Sequence, residues 1–287
     1  MGLFFMKKIK YFILVKSIGF YLNILSYINP KKASVIAYQL FSEPRKGKLS
    51  KENLPKFLQN TSTEIIEYNN HQIQIYKWLG DDNVILLVHG WESNASRWKK
   101  MLPFLHQTGS TIIAIDAPAH GLSSGKEFNV PQYTEFIHAT IQKYHPKTII
   151  AHSIGGAASA FYLHKYPNST LEKIVLLGSP SEMKIIIDNY INLLSLNSKI
   201  SQYLKKQSEN RFNVKIDTFS VHLFSKNFSQ KAYIAHDSHD KIVNVNEGIK
   251  ISKTWTNAIY HETQGLGHSL HDDDLYKKVL DFLLKEE

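Results

Sequence analysis

Residues 148–156 read Thr-Ile-Ile-Ala-His-Ser-Ile-Gly-Gly. Thr148–His152 is a short, continuous apolar run of the kind buried on both faces of a parallel sheet. From Ile154 to Tyr166 the spacing changes to that of a helix. Ser153 therefore stands on a strand-to-helix turn, which strains the backbone and projects the hydroxyl from the sheet edge. Strand and helix meet closely there, so small side chains are needed two residues before and after the serine. Gly155 meets the second requirement, and Ala151 stands where the G-x-S-x-G pattern has its first glycine. The plainer reading is a serine in an ordinary tight turn.

Apolar runs like 148–152 recur on either side. Val84–Val88 (VILLV), Thr111–Asp116, Lys173–Leu177 and Lys231–His236 share the pattern, and Ala258–Glu262 is a candidate last strand. Helical stretches fall between them, at Ala95–His106 and Gln132–Tyr144. Such alternation predicts a doubly wound, mostly parallel sheet flanked by helices, an α/β fold. Ahead of it, Thr63–Tyr68 and Gln72–Trp78 flank Asn69-Asn70, a hairpin signature. Residues 181–230 break the rhythm and read as a helical insertion, too long for a plain loop. The organisation expected is a basic, apolar helical segment over 1–60, an α/β core over 61–180 and 231–287, and a helical lid insertion over 181–230.

The chain has 287 residues, no cysteine and a net charge of +9. Without cysteine, disulfide scaffolds, thiolate metal sites and thiol nucleophiles are excluded. Residues 1–56 hold eleven Lys/Arg against two acids, while the remaining 231 residues balance at 23 of each sign. A neutral body argues against a duplex-tracking surface, and no nucleic-acid partner is expected. Residues 1–41 mix the lysines with nine Phe and Tyr. The longest uncharged run, 17–30, is short of the ~20 residues a spanning helix needs. It contains Asn23 and Asn29, Lys16 interrupts any longer window, and no small-residue cleavage point follows. One or two helices with an apolar face and a basic edge are expected, docked on the core or lying on an anionic membrane, with a spanning helix as the outsider. A cytoplasmic protein, peripheral on the inner membrane surface, fits that pattern.

A serine hydroxyl needs a base, and the base an acid to orient it. Both types follow in the order Ser, Asp, His. Asp237-Ser238-His239-Asp240 follows the 231–236 strand, and Gly265-Leu266-Gly267-His268 follows the last strand. Loops at the carboxyl ends of late parallel strands lie beside the serine turn. Asp237 and Asp240 both compete for the acid position. His236, Asp237, His239 and Asp240 also admit a metal-ligand reading, against which the loop lacks helical spacing. His89 and His120 are read as turn histidines bonded to backbone, and His271 with Asp272, Asp273 and Asp274 as the start of a last helix.

From about Thr63 to the C-terminus the chain resembles the α/β-hydrolase superfamily. The resemblance rests on Val88-His89-Gly90-Trp91, Asp116-Ala117-Pro118-Ala119-His120-Gly121-Leu122-Ser123, His152-Ser153-Ile154-Gly155-Gly156, Asp240 and Gly267-His268. Its HGW and DAPAHG forms look like an uncharacterised bacterial subgroup. The resemblance implies Ser153 as nucleophile, His268 as general base and then acid, and Asp240 as the orienting residue, favoured over Asp237 by its D-x-x-V context. It implies the amides of Trp91 and Ile154 as an oxyanion hole, with no metal and no cofactor.

The expected activity is hydrolysis of a carboxylic ester, of carboxylesterase or lysophospholipase/monoacylglycerol-lipase type. The insertion's Ile185, Ile186, Ile187, Tyr190, Leu193, Leu194 and Leu196 suit an apolar acyl group, or else they pack the insertion itself. Thioesterase, amidase or peptidase, and C–C hydrolase share the same triad, since specificity lies in the pocket. A non-catalytic, membrane-associated binding protein is the alternative of another class.

Overall fold

The computed structural model describes residues 2–167, 170–212 and 214–285; the side chains of residues 1–5, 7 and 8, including Phe4, Phe5, Lys7 and Lys8, lie outside the described set. The main elements run in order α1 (Gly2–Ile28), α2 (Pro30–Ser42), β1 (Ser62–Tyr68), β2 (His71–Trp78), β3 (Asp81–Val88), β4 (Ser110–Ile115), α3 (Val130–Tyr144), β5 (Thr148–His152), α4 (Ile154–Lys165), β6 (Lys173–Leu177), α5 (Met183–Leu194), α6 (Ser198–Phe212), β7 (Lys231–Asp237), α7 (Val245–Thr254), β8 (Ala258–Thr263) and α8 (Asp273–Leu284).

The chain forms two compact units, residues 1–43 with 182–220 and residues 44–181 with 221–287. The boundaries differ from those expected of the sequence. Residues 44–60 and 221–230 belong to the α/β unit, and the N-terminal helices share a unit with the insertion.

In the α/β unit eight strands form one sheet in the order β1-β2-β4-β3-β5-β6-β7-β8. β1, β2 and β4 pair antiparallel, and β4-β3-β5-β6-β7-β8 run parallel. All five residues of β5 are buried, as its unbroken apolar run requires. Asn69 and Asn70 both take positive φ (47° and 63°), the two-residue turn whose twist matches the hairpin strands. The core beneath β3 and β4 collects Ile85, Leu87, Trp98, Ile112, Tyr276 and Phe282 among others.

The helix expected over Ala95–His106 is broken into 3₁₀ turns at Ala95–Lys100 and His106–Thr108 around a single α-turn, Leu102–Leu105. Pro103 has no amide to donate back along a continuous helix, so the segment restarts there. The last helix begins as read: Asp272 caps it by accepting from the Leu275 amide at 2.8 Å, with Asp273 and Asp274 in the positive first turn. The insertion leaves and returns side by side, the Val221 amide donating to the Ser181 carbonyl at 2.7 Å.

In the helical unit, Val15, Leu22, Ala33, Ala37, Tyr38, Leu194, Leu196, Ile200 and Leu204 form a separate core. Leu194 and Leu196 thus pack the unit's interior. Val15, Gly19, Leu22 and Ser26, at helical spacing, are the buried side of α1. A Cβ on Gly19 would come within 1.7 Å of the Leu194 carbonyl, so α1 and α5 meet at backbone contact. The stretch Ile9–Ile28 has a mean hydropathy of 1.4 and is long and apolar enough to cross a membrane by length and composition. The 14-residue run read from the sequence understated it, because Lys16 does not end the helix.

Candidate active site

Ser153 lies between the last residue of β5 and the first of α4 with φ 54° and ψ −129°. Non-glycine residues visit that region only when the surroundings over-determine it. The surroundings here are explicit. The Ser153 amide donates to the Leu177 carbonyl at 2.8 Å, and its own carbonyl accepts from Gly156 at 2.9 Å. A Cβ on Gly155 would fall 2.4 Å from the His89 carbonyl oxygen, and one on Gly90 2.9 Å from the Ser153 Cβ. The loop after β3 is thereby pressed against the serine turn, which only glycines at these points allow.

Three loops at the carboxyl edge of the parallel strands bring Ser153, Asp240 and His268 into one chain of hydrogen bonds. His268 Nδ1 lies 2.7 Å from Asp240 Oδ2, and His268 Nε2 lies 2.9 Å from Ser153 Oγ. The ionised carboxylate can only accept, so Nδ1 carries the proton and Nε2 is free to accept the serine's. The Asp240 side chain is fully buried. Burial works against its charge, but His236, His268 and the amides of Val243 and Ile242 outweigh it and hold its pKa well below the ordinary aspartate value.

Asp237, the other candidate acid, points elsewhere. Its Oδ2 accepts from Thr263 Oγ1 at 2.8 Å and from the Leu266 amide at 2.9 Å, and its Oδ1 accepts from the His239 amide. It staples the histidine loop to β8. His236 Nε2 donates to the Val243 carbonyl at 3.0 Å and lies 3.5 Å from Asp240 Oδ2. Among the described residues no group of three or more His, Asp or Glu side chains is placed to hold a metal ion.

Two residues without a role in the sequence reading hold the His268 segment. His152, buried beside the serine, donates from Nε2 to the His268 carbonyl at 2.8 Å. Burial, then the Arg97 charge, keep its pKa far below the usual histidine value, so it is neutral. Arg97 Nη2 donates to the next carbonyl, that of Ser269, at 2.6 Å. A histidine at the closed end of a fully buried strand was the one sequence signal available for His152; Arg97 had none.

The loop after β3 is stiffened by a buried polar knot. Asp116 accepts from the Ala95 amide at 2.9 Å, the Leu122 amide at 2.9 Å and Tyr76 Oη at 3.0 Å. A Cβ on Gly121, which has φ 49°, would sit 1.9 Å from that carboxylate. His89 Nε2 accepts from the Ala117 amide while Nδ1 donates to the Gly90 carbonyl. His120 Nε2 accepts from the Glu92 amide while Nδ1 donates to the Pro118 carbonyl. Both serve turn structure, as read. Burial lowers their pKa values to about 3 and about 4. The Trp91 ring meets His120 and Phe128 edge to face. The amides of Trp91 and Ile154 have no protein acceptor among the described residues outside regular helix and strand ladders.

A hydrogen-bonded Asp-His-Ser chain whose serine sits on a strand-to-helix turn, at the carboxyl edge of a mostly parallel eight-stranded sheet, defines a class of protein. Residues 83–228, just over half the chain, match the model of the α/β-hydrolase fold, and the chain belongs to that family. It is 27% identical over 161 residues to human serine hydrolase-like protein 2, an alignment covering 54% of this chain and 48% of that one. It therefore spans about half the length of that relative. It is 27% identical over 103 residues to a bifunctional esterase/perhydrolase of Acinetobacter calcoaceticus, covering 34% of this chain and 37% of the other. A serine hydrolase from Cycloclasticus zankles superposes with a TM-score of 0.59 at 19% identity, over 78% of this chain and 98% of that one, and shares the fold.

Proposed function

We propose that this chain is a serine hydrolase that cleaves carboxylic esters through an acyl-enzyme. The observation that carries the reading is the chain Asp240–His268–Ser153, at 2.7 and 2.9 Å with one proton arrangement open to it. Ser153 Oγ attacks the ester carbonyl while His268 Nε2 takes its proton. The oxyanion that forms accepts from the Trp91 and Ile154 amides, donors otherwise unspent. His268 then gives the proton to the departing alkoxide, which leaves as the alcohol. A water deprotonated by the same Nε2 attacks the acyl-serine, and the acid departs as Ser153 recovers its proton. Asp240 stays ionised and steadies the imidazolium in both halves.

The ester reading draws support from the esterase among the relatives. Hydrolysis of p-nitrophenyl esters from acetyl to palmitoyl, wild type beside Ser153→Ala, tests it. Turnover lost with the hydroxyl is the expected result. Fluorophosphonate labelling of Ser153 without ester turnover would move the substrate to a thioester, amide or carbon–carbon bond, and no labelling of folded protein would overturn the reading.

A further inference from the structure

An α-helix that is apolar all round must be covered on all sides. α1 is covered on one. Opposite Val15, Gly19, Leu22 and Ser26, the residues Ile13, Phe20, Tyr21, Ile24, Tyr27 and Ile28 are 47–78% exposed, and Tyr11 and Phe12 extend the exposed apolar surface toward the start of the helix. At the size of these side chains that is on the order of 1,000 Å² of contiguous apolar surface, against the ~300–600 Å² of the largest patch on a typical monomer.

We propose that α1 is an in-plane membrane anchor, its outward face sunk into the headgroup boundary of an anionic bilayer while its inward face stays docked on α5 and α6. Charge selects the occupant. Residues 1–43 carry six basic side chains against one acidic one, a surplus that draws anionic lipid and is disfavoured between copies of the same chain. The outward face also carries two tyrosines, Tyr21 and Tyr27, whose apolar rings and polar tips suit the interface.

The docked side decides between lying in the membrane and crossing it. Lys16 Nζ donates to the Leu193 carbonyl at 3.0 Å and to Ser195 Oγ at 2.7 Å. Asn23 donates to the Ser195 carbonyl and accepts from the Asn197 amide, both at 2.8 Å, and Ser26 Oγ accepts from Asn197 Nδ2 at 2.8 Å. To cross, α1 would either abandon these partners and carry a lysine and an asparagine into hydrocarbon, or drag α6 with it. α6 holds Lys199, Lys205, Lys206, Glu209 and Arg211. Both routes bury charge in a medium that cannot solvate it. Lying flat leaves every one of these hydrogen bonds intact.

The test is co-sedimentation of the full chain with vesicles of phosphatidylcholine alone or mixed with phosphatidylglycerol, wild type beside the triple variant Ile13→Glu, Phe20→Glu, Ile24→Glu. These positions form one exposed stripe, and a retained urea midpoint shows that the variant folds. Pelleting with the anionic vesicles, at least tenfold weaker for the variant and released by alkaline carbonate, is expected. Retention through carbonate would overturn the in-plane placement in favour of a spanning helix. Equal pelleting of variant and wild type, or no pelleting, would overturn the anchor. A dimer formed without lipid and lost in the variant would assign the face to a second copy instead.

Discussion

The imidazole of His152 is hydrogen-bonded to the carbonyl of His268, so the residue just before the serine grips the residue whose ring bonds the serine hydroxyl. Two members of the site are thereby tied together by a bond outside the Asp240–His268–Ser153 chain. Arg97, on the Ser269 carbonyl, repeats the arrangement one residue later.

The first prediction tests that grip. His152→Asn removes the ring and leaves the His268 carbonyl without its donor. Misplacement of a catalytic group by about 1 Å costs up to about 100-fold. The kcat, or the rate of fluorophosphonate labelling, should fall about 10- to 100-fold with KM little changed. Steady-state kinetics at several pH values will separate this from a simple loss of folded protein.

The two aspartates after β7 should separate cleanly. Asp240→Asn leaves His268 with the wrong proton placement and should lower activity by about 10³- to 10⁴-fold. Asp237→Asn breaks the staple to Thr263 and Leu266. It should cost about 1–3 kcal/mol of stability, seen as a lower urea midpoint, with a much smaller effect on rate.

Strain at Ser153 should be visible as stability. Ser153→Gly and Ser153→Ala both lose the hydroxyl and should both be inactive. Glycine adopts φ 54° without a Cβ clash, so Ser153→Gly should be more stable than Ser153→Ala by about 1–2 kcal/mol in chemical denaturation.

Acid should unfold the α/β unit early. His89 and His120 are buried and neutral, with pKa values of about 3 and about 4, whereas an unfolded chain protonates them near 6.5. Between those limits the unfolded state binds more protons, so stability is full above pH 6.5 and falls as pH drops. The slope is about 1.4 kcal/mol per pH unit for each histidine. Urea midpoints from pH 7 to pH 4 should show this, and His120→Asn, less stable at pH 7, should have the shallower slope.

Much of the α/β unit is legible because its strands are unbroken runs of apolar residues, which no exposed element tolerates. The serine turn is legible for a related reason: Ala151 and Gly155 are small where backbones meet, and the Gly155 position leaves no room for a Cβ. The choice of Asp240 over Asp237 rests in the sequence on the D-x-x-V context that the resemblance supplies, not on the chemistry of the two side chains. Three residues separate them, and which one faces His268 depends on how the loop turns after β7. Polar bracing by His152, His236 and Arg97 is silent, since a side chain bonded to a backbone carbonyl leaves no trace in the partner's identity. The pairing of residues 1–43 with 182–220 is the largest gap. An apolar helix face announces that a partner exists without saying which distant segment supplies it.

That pairing also sets an order of events during synthesis. α1 and α2 are translated early, but the helices that cover their inner face come only after the whole of residues 44–181 has been made. Until α5 and α6 emerge, Val15, Leu22, Ala33 and Ala37 have only one another to lie against. Over that interval the nascent chain displays an apolar helix bare on nearly every side, the feature that co-translational targeting factors and chaperones recognise.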